Sequence, residues 1–197
     1  MANAADTFAT VLERMQLKES QHFQYQETRH LALLTQPWVA TGDMFITATG
    51  MVIVQHSPSS ILTQITHDKL KYFDAERDIQ RTIPLKKPFA VPGMAPFLQM
   101  LYLGKQQSRL EENYQTSFQL LKDRWILVLS PRQPGNDKIK AMTLSGSQGK
   151  GADLLKLEYI DGDLTHWQLS LLTQGHDATD HLKKALASFN EDHSFDD

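Results

Sequence analysis

The chain has 197 residues and a mass of 22.4 kDa, with 20 Lys and Arg against 23 Asp and Glu for a formal net charge of −3 and a pI near 6.2. That length predicts one domain, residues 1–197, with room for a sizeable core, and the charge lacks the basic excess that a nucleic-acid backbone binder needs. The sequence contains no cysteine, which excludes disulfides, thiolate metal sites, a cysteine nucleophile and a lipidated cysteine within it, and no apolar run approaches the length of a spanning helix.

At the start, Ala2-Asn3-Ala4 has the small-x-small form of a signal-peptidase site, a pointer to a mature exported protein whose signal peptide has been removed, and an ordinary alanine-rich N-terminus gives the same pattern. Asp6 or Thr7 is placed to cap a helix in which Phe8, Val11, Leu12 and Met15 form one apolar stripe. From His22 the period changes to two: Phe23, Tyr25, Arg29, Leu31 and Leu33 fall on one side of a strand, and Gln24, Gln26, Thr28 and His30 on the other. Gln36-Pro37 ends it. Val39–Thr47 and Gly50–His56, rich in Thr, Val, Ile and Phe, read as a strand pair, and Ser57-Pro58-Ser59 is the next turn. Ile61–Thr66 and Lys69–Phe73 make a hairpin around His67-Asp68, and Asp78–Ile83 is a further strand after Ala75-Glu76-Arg77. Such short links favour an antiparallel meander over parallel crossovers.

The segment Pro84–Gly104 interrupts the meander. Pro84, Pro88, Pro92 and Pro96 recur at every fourth position, each removing a backbone donor, so no regular helix or central strand forms until they are passed. A short helix then leads to Gly104 as C-cap, and from Met94 to Leu103 its only polar side chain is Gln99. An element this apolar must be covered on two sides. It reads as a lid over an apolar cavity, and equally as a helix plugging a sheet core with no ligand.

Strands resume with Glu112–Leu121. Trp125–Leu129 is apolar without interruption, which predicts cover on both faces. Lys138–Leu144, Leu154–Ile160 and Leu164–Leu172 complete the sheet, and a final helix begins at Asp177 or Thr179 with Leu182, Ala185, Leu186 and Phe189 on one face. An acidic tail, Glu191–Asp197, frays. The predicted class is α+β: a single, strongly curved antiparallel sheet forming an unclosed half-barrel, covered by short lid helices, with a helix at each terminus.

Motifs for chemistry are absent. The eight histidines, His22, His30, His56, His67, His166, His176, His181 and His193, show no close ligand spacing, so they read as surface or turn residues and no metal or other cofactor is expected. Gly146-Ser147-Gln148-Gly149-Lys150-Gly151 lacks the spacing of a phosphate loop and reads as a hairpin loop. Asp161-Gly162-Asp163 reads as a type I′ turn. No GxSxG elbow occurs. Two polar features stand out on apolar faces. Glu27 and Arg29 share the side of Phe23 and Tyr25, where an ionised group must be paired, with each other, with a ligand headgroup or with a lid carbonyl; Gln99 stands alone on the lid as a latch.

The layout resembles the LolA/LolB superfamily of bacterial outer-membrane lipoprotein carriers, and most closely its LolA-like branch. The resemblance rests on the N-terminal helix leading to Phe23-Gln24-Tyr25-Gln26-Glu27, on Thr41-Gly42-Asp43-Met44-Phe45-Ile46, on His56-Ser57-Pro58-Ser59-Ser60-Ile61, on Asp68-Lys69-Leu70-Lys71-Tyr72-Phe73-Asp74 and on the apolar segment Pro92–Gly104. It implies a periplasmic, non-enzymatic carrier or chaperone, a monomer that shields the acyl chains of lipoproteins in transport towards the outer membrane and meets inner- and outer-membrane protein partners transiently. Where the family's carriers have an Arg-Pro pair after the second strand, this chain has Ala48-Thr49, so that arginine's lid-holding role does not carry over. The chain also ends in a helix where the carriers have an extra strand. On this reading the cavity wall comprises Phe23, Tyr25, Phe45, Leu70, Tyr72, Phe118, Leu120, Trp125, Leu127, Trp167 and Leu169, and the lid Met94, Phe97, Leu98 and Leu101. Two rival readings use the same cavity: a carrier of a free lipid or other apolar metabolite, and an enzyme with Arg29, Glu27 or a histidine as acid or base. A third makes Met94–Leu103 the cover of a neighbouring chain in an obligate oligomer.

Overall fold

The structure is a computed structural model and describes residues 7–66, 68–85, 112–133 and 139–192. Helix α1 spans Phe8–Met15. Thr7 caps it: its hydroxyl accepts from Thr10 N at 3.2 Å while its own N–H donates to Thr10 Oγ1 at 2.8 Å, satisfying two of the donors that a helix start leaves open. Val11, Leu12 and Met15, the stripe read from the spacing, are buried.

Eleven strands follow: β1 Gln21–His30, β2 Trp38–Thr47, β3 Gly50–Ser57, β4 Ile61–Ile65, β5 Lys69–Asp74, β6 Ile79–Pro84, β7 Tyr114–Leu120, β8 Arg124–Pro131, β9 Ile139–Ser147, β10 Leu154–Tyr159 and β11 Leu164–Gln174. They form one sheet in the order β6-β5-β4-β3-β2-β1-β11-β10-β9-β8-β7, with antiparallel registers from β2 through β6 and from β7 through β11. The α+β class, the unclosed antiparallel sheet and the helix near each end are as the sequence predicts. First and last strands are neighbours in the middle, so the edges are β6 and β7. The connection between Pro84 and Tyr114 therefore leaves one edge and enters the other. The residues read as lid, Met94, Phe97, Leu98, Gln99 and Leu101, lie outside the described residues, as do 193–197 of the acidic tail.

The second helix, α2, spans Gly175–Asp192 and so begins before Asp177 and takes in Glu191 and Asp192. The cause is Gly175, whose φ of +66° turns the chain from β11 directly into the helix while its N–H donates to Ser20 O at 2.8 Å; only glycine holds such a conformation without strain. Two other local expectations change. β8 is buried at Trp125, Leu127 and Leu129 but only half-buried at Ile126 and Val128, so its uninterrupted apolar run is covered fully on one face alone. At Asp161-Gly162-Asp163 only Gly162 has positive φ, whereas a type I′ turn needs it at both central residues; the link is a longer loop in which Asp161 Oδ1 accepts from Asp163 N at 3.3 Å.

Tertiary contacts divide the chain into two compact units. One contains 1–16, 26–39 and 100–169; the other contains 17–25, 40–99 and 170–197. Gly42 shows how tightly the second is built. A Cβ there would lie 2.1 Å from Val54 O and 3.0 Å from Tyr25 Cε1, and the backbone oxygen cannot step aside. Gly42→Ala is expected to destabilise the protein by about 1–3 kcal/mol, the usual range for overpacking, measured as a lower urea midpoint with an unchanged slope.

Candidate functional site

In the second unit, strand registers assign each side chain to a face. Asp43, Phe45, Val52, Val54, Leu62 and Phe73 lie on one face by pairing and alternation. There Phe45, Val54 and Leu62 pack with Phe189 of α2, joined by Val52, Phe73, Ala75, Leu182, Ala185 and Leu186, and the Phe73 and Phe189 rings meet edge-on at 5.7 Å. The predicted stripe of α2 thus finds its sheet. The opposite face carries Phe23, Tyr25, Met44, Ile46, Met51, Ile53, Ile65 and Leu70, all buried. Two methionines and two aromatic rings give it a surface that adapts to irregular apolar partners. Its polar members are partnered: Gln55 donates to Ser59 O at 2.9 Å, and buried Asp74 accepts from Arg77 N at 3.2 Å and Tyr72 Oη at 3.4 Å. Burial first, then the Asp74 charge, push the Tyr72 phenol above its ordinary value.

Of the residues read as wall, Phe23, Tyr25, Leu70 and Tyr72 share this face, while Phe45 lies on the other, under α2. Met44, Ile46, Met51, Ile53 and Ile65 belong to the same face as Tyr25 and were missed, because β2 and β3 are apolar at consecutive positions and alternation alone gives no face. In the first unit, the registers place Phe118, Leu120, Trp125, Leu127, Trp167 and Leu169 on one face. The last four are buried and Leu120, on the edge strand, is 39% exposed. Leu129, Met142, Leu144, Leu155 and Leu157 fill the gaps between them. The back of these strands mixes polar Thr143, Lys156, Glu158 and His166 with Ile126, Val128 and Leu154.

Glu27 and Arg29 pair with each other at 2.7 Å. Glu27 is buried, whereas Arg29 reaches outward and lays its guanidinium 4.5 Å from the centre of the Trp38 ring, a stacked cation that keeps its charge near solvent. On the first unit's hairpin loop, the Trp125 indole donates to Lys150 O at 3.1 Å, and Arg124 bridges to Asp153 and donates to Ser145 Oγ at 3.2 Å, so the glycine-rich stretch is tied down as a loop.

Histidines depart most from the sequence reading. His22 is buried, stacked on Phe45 at 4.3 Å, and its Nε2 donates to Asp43 Oδ1 at 2.7 Å. His56 Nε2 donates to the other oxygen of Asp43 at 2.7 Å. His22 Nδ1 faces His181 Nδ1 of α2 at 3.3 Å, and Thr173 Oγ1 stands 3.4 Å from the same His181 nitrogen. The positions 22, 43, 56 and 181 share no sequence spacing; pairing of β1 with β2, β2 with β3 and docking of α2 bring them together. Among the described residues no group of three or more His, Cys, Asp or Glu is placed to hold a metal.

No protein-family model and no curated protein matches the chain. Among solved structures it is similar to an uncharacterized conserved protein from Thermus thermophilus, with a TM-score of 0.50 and 10% identity over 84% of this chain and 86% of that one. It is also similar to a LolA superfamily protein from Nitrosomonas europaea, with a TM-score of 0.45 and 9% identity over 84% of this chain and 92% of that one. A putative outer membrane lipoprotein-sorting protein domain from Vibrio parahaemolyticus gives 0.43 and 10% over 88% and 95%. The likeness is one of fold.

Burial alone would raise the Asp43 carboxyl, but hydrogen bonds from His56 and His22 overcome it and hold it below its ordinary 3.8. The bond to Asp43 raises His56 above its ordinary 6.5 against the opposing effect of burial. A raised histidine stabilises fully below its unfolded value and loses that contribution as pH rises through the folded one; a depressed carboxylate stabilises above its unfolded value and loses it as pH falls. The Asp43–His56 pair is therefore strongest between 3.8 and 6.5. His56→Gln is expected to destabilise more at about pH 6 than at about pH 8.5, read as the change in urea midpoint at each pH.

Proposed function

We propose that the protein is a carrier that shields acyl chains against its apolar sheet face, and that it is not an enzyme. The observation that carries this reading is the face formed by Phe23, Tyr25, Met44, Ile46, Met51, Ile53, Ile65 and Leu70, lying opposite the one that α2 occupies. A sheet that needed only a core would be served by α2 on one side and a polar surface on the other. Here both faces are apolar, and the second is rich in methionine and aromatic side chains. Burying about eight methylenes there at ~0.8 kcal/mol each yields about 6 kcal/mol, enough to hold a chain yet within reach of a competing cover.

The segment Pro84–Gly104 is the proposed cover. It belongs to the connection that runs from one sheet edge to the other, and its sequence offers Met94, Phe97, Leu98 and Leu101 for apolar contact with Gln99 as a latch. The cargo is a lipoprotein's acyl chains, the setting the periplasm, and the partners the membrane proteins that load and unload it; the resemblance of the sequence to the lipoprotein carriers supports each of these. Phe118, Leu120, Trp125, Leu127, Trp167 and Leu169 share one apolar face of the other unit and offer it the same kind of contact.

The test is displacement of an environment-sensitive apolar dye. Fatty-acyl ligands are expected to displace it from the wild type, and Leu98→Glu is expected to weaken dye binding by roughly tenfold, since a carboxylate in an apolar contact carries a large desolvation cost. Native mass spectrometry of the protein mixed with a triacylated peptide and with free fatty acid separates lipoprotein from free-lipid cargo. A dye that does not bind, or binding unchanged by acyl ligands, removes the carrier reading.

A further inference from the structure

The histidine network around buried His22 lies on the α2 face, opposite the proposed cargo face. Asp43 is ionised and can only accept, so both histidines that touch it must present N–H at Nε2. With Nε2 committed, neutral His22 has a lone pair at Nδ1, and that lone pair faces His181 Nδ1 at 3.3 Å. The neutral network is then a single file: His181 Nδ1–H donates to His22 Nδ1, His22 Nε2–H donates to Asp43, and His56 Nε2–H donates to the remaining oxygen of Asp43. Each of the four ring nitrogens in the file, His181 Nδ1, His22 Nδ1 and Nε2, and His56 Nε2, has one role.

Adding protons changes the file in steps. The first is accommodated: His22 takes a proton at Nδ1 and donates to His181, which shifts to its Nε2–H tautomer, so one proton bridges the two rings. The second is not. With both rings charged, two N–H groups and two positive charges face each other across 3.3 Å, and the other described acceptor beside His181 Nδ1 is Thr173 Oγ1, 3.4 Å away. His22 cannot move to relieve this, because Asp43 holds one end and Phe45, stacked at 4.3 Å and 15°, fixes the ring plane. The side free to leave is His181, which sits exposed on α2.

We propose that the facing His22 and His181 imidazoles are a proton-operated clasp for α2: with at most one shared proton they hold the helix on the sheet, and full protonation of both releases it, uncovering Phe45, Val54, Leu62 and Phe73. The other charged groups around the clasp do not replace it. From β2 and β3, Asp43 and His56 strengthen their own pair in acid, which keeps the strands together while the helix leaves. Ahead of β1, Glu19 Oε2 lies beside Gly175 at the helix start. On α2 itself, Asp180 bonds His176 at 3.4 Å and Lys183 at 3.2 Å, Asp177 lies on its first turn and Lys184 follows Lys183 near its middle. His176 is 84% exposed and its pair with Asp180 lies within the helix, so it does not bear on the docking of α2. The clasp is independent of any cargo.

Hydrogen exchange of the full chain, corrected for intrinsic rates, tests the clasp. Protection of residues 175–192 is expected to fall by at least about tenfold between about pH 7.5 and 5 in the wild type, with β2 and β3 unchanged. In His181→Gln, whose amide does not titrate, the fall is expected to vanish. Long-range nitrogen–proton spectra of the wild-type imidazoles at neutral pH, which need no variant, are expected to show His22 as the Nε2–H tautomer. Flat protection of α2 over that range, an equal fall in His181→Gln, or a neutral His22 protonated at Nδ1 each overturns the proposal.

Discussion

The hydrogen-bonded pairing of β1 with β11 is the constraint from which the rest of the architecture follows. Each half of the chain is a meander whose strands pair with their neighbours in sequence, and either could grow from local hairpins. With β1 beside β11 in the strand order, β6 and β7 are left as the edge strands. The link between those edges is the most proline-rich stretch of the chain. Gly175 makes the junction possible at one end, since its N–H reaches Ser20 O while its left-handed backbone starts α2.

Once α2 is launched there, its apolar stripe has one face of β2–β5 within reach, and the Phe45, Val54, Leu62 and Phe189 cluster forms. That choice decides what the sheet's other face is for. Close packing at Gly42, where strand backbone and the Tyr25 ring leave no room for a Cβ, keeps that other face continuous from β1 into β3. The strands of this unit carry buried apolar side chains on both faces, one of them under α2.

The same docking of α2 gathers the polar residues that hydropathy cannot place. A buried histidine is costly unless its nitrogens are paired, and His22 is paired at both: to a carboxylate on β2 and to an imidazole on α2. Asp43 carries two histidines at once, one on each oxygen, and this sharing sets its low protonation range. Apolar packing and hydrogen bonding therefore converge on the α2 contact, and only the second of these answers to pH.

Periodicity along the chain was enough to determine the α+β class, the antiparallel meander, the two helices and nearly every strand, because alternation of two and of three to four residues reflects local geometry that each segment carries by itself. The face of isolated strands with clean alternation, such as Phe23 and Tyr25 or Trp167 and Leu169, was legible for the same reason. Where consecutive residues are all apolar, as in Met44-Phe45-Ile46 and Trp125-Ile126-Leu127, the sequence holds no preference between faces, and only register and the landing of α2 put Phe45 under the helix and Met44 across from it. Nor could spacing announce that residues 22, 43, 56 and 181 meet, since contacts across a sheet and onto a distant helix are decided by which strands pair and which surface the helix covers, and those are properties of the assembled fold.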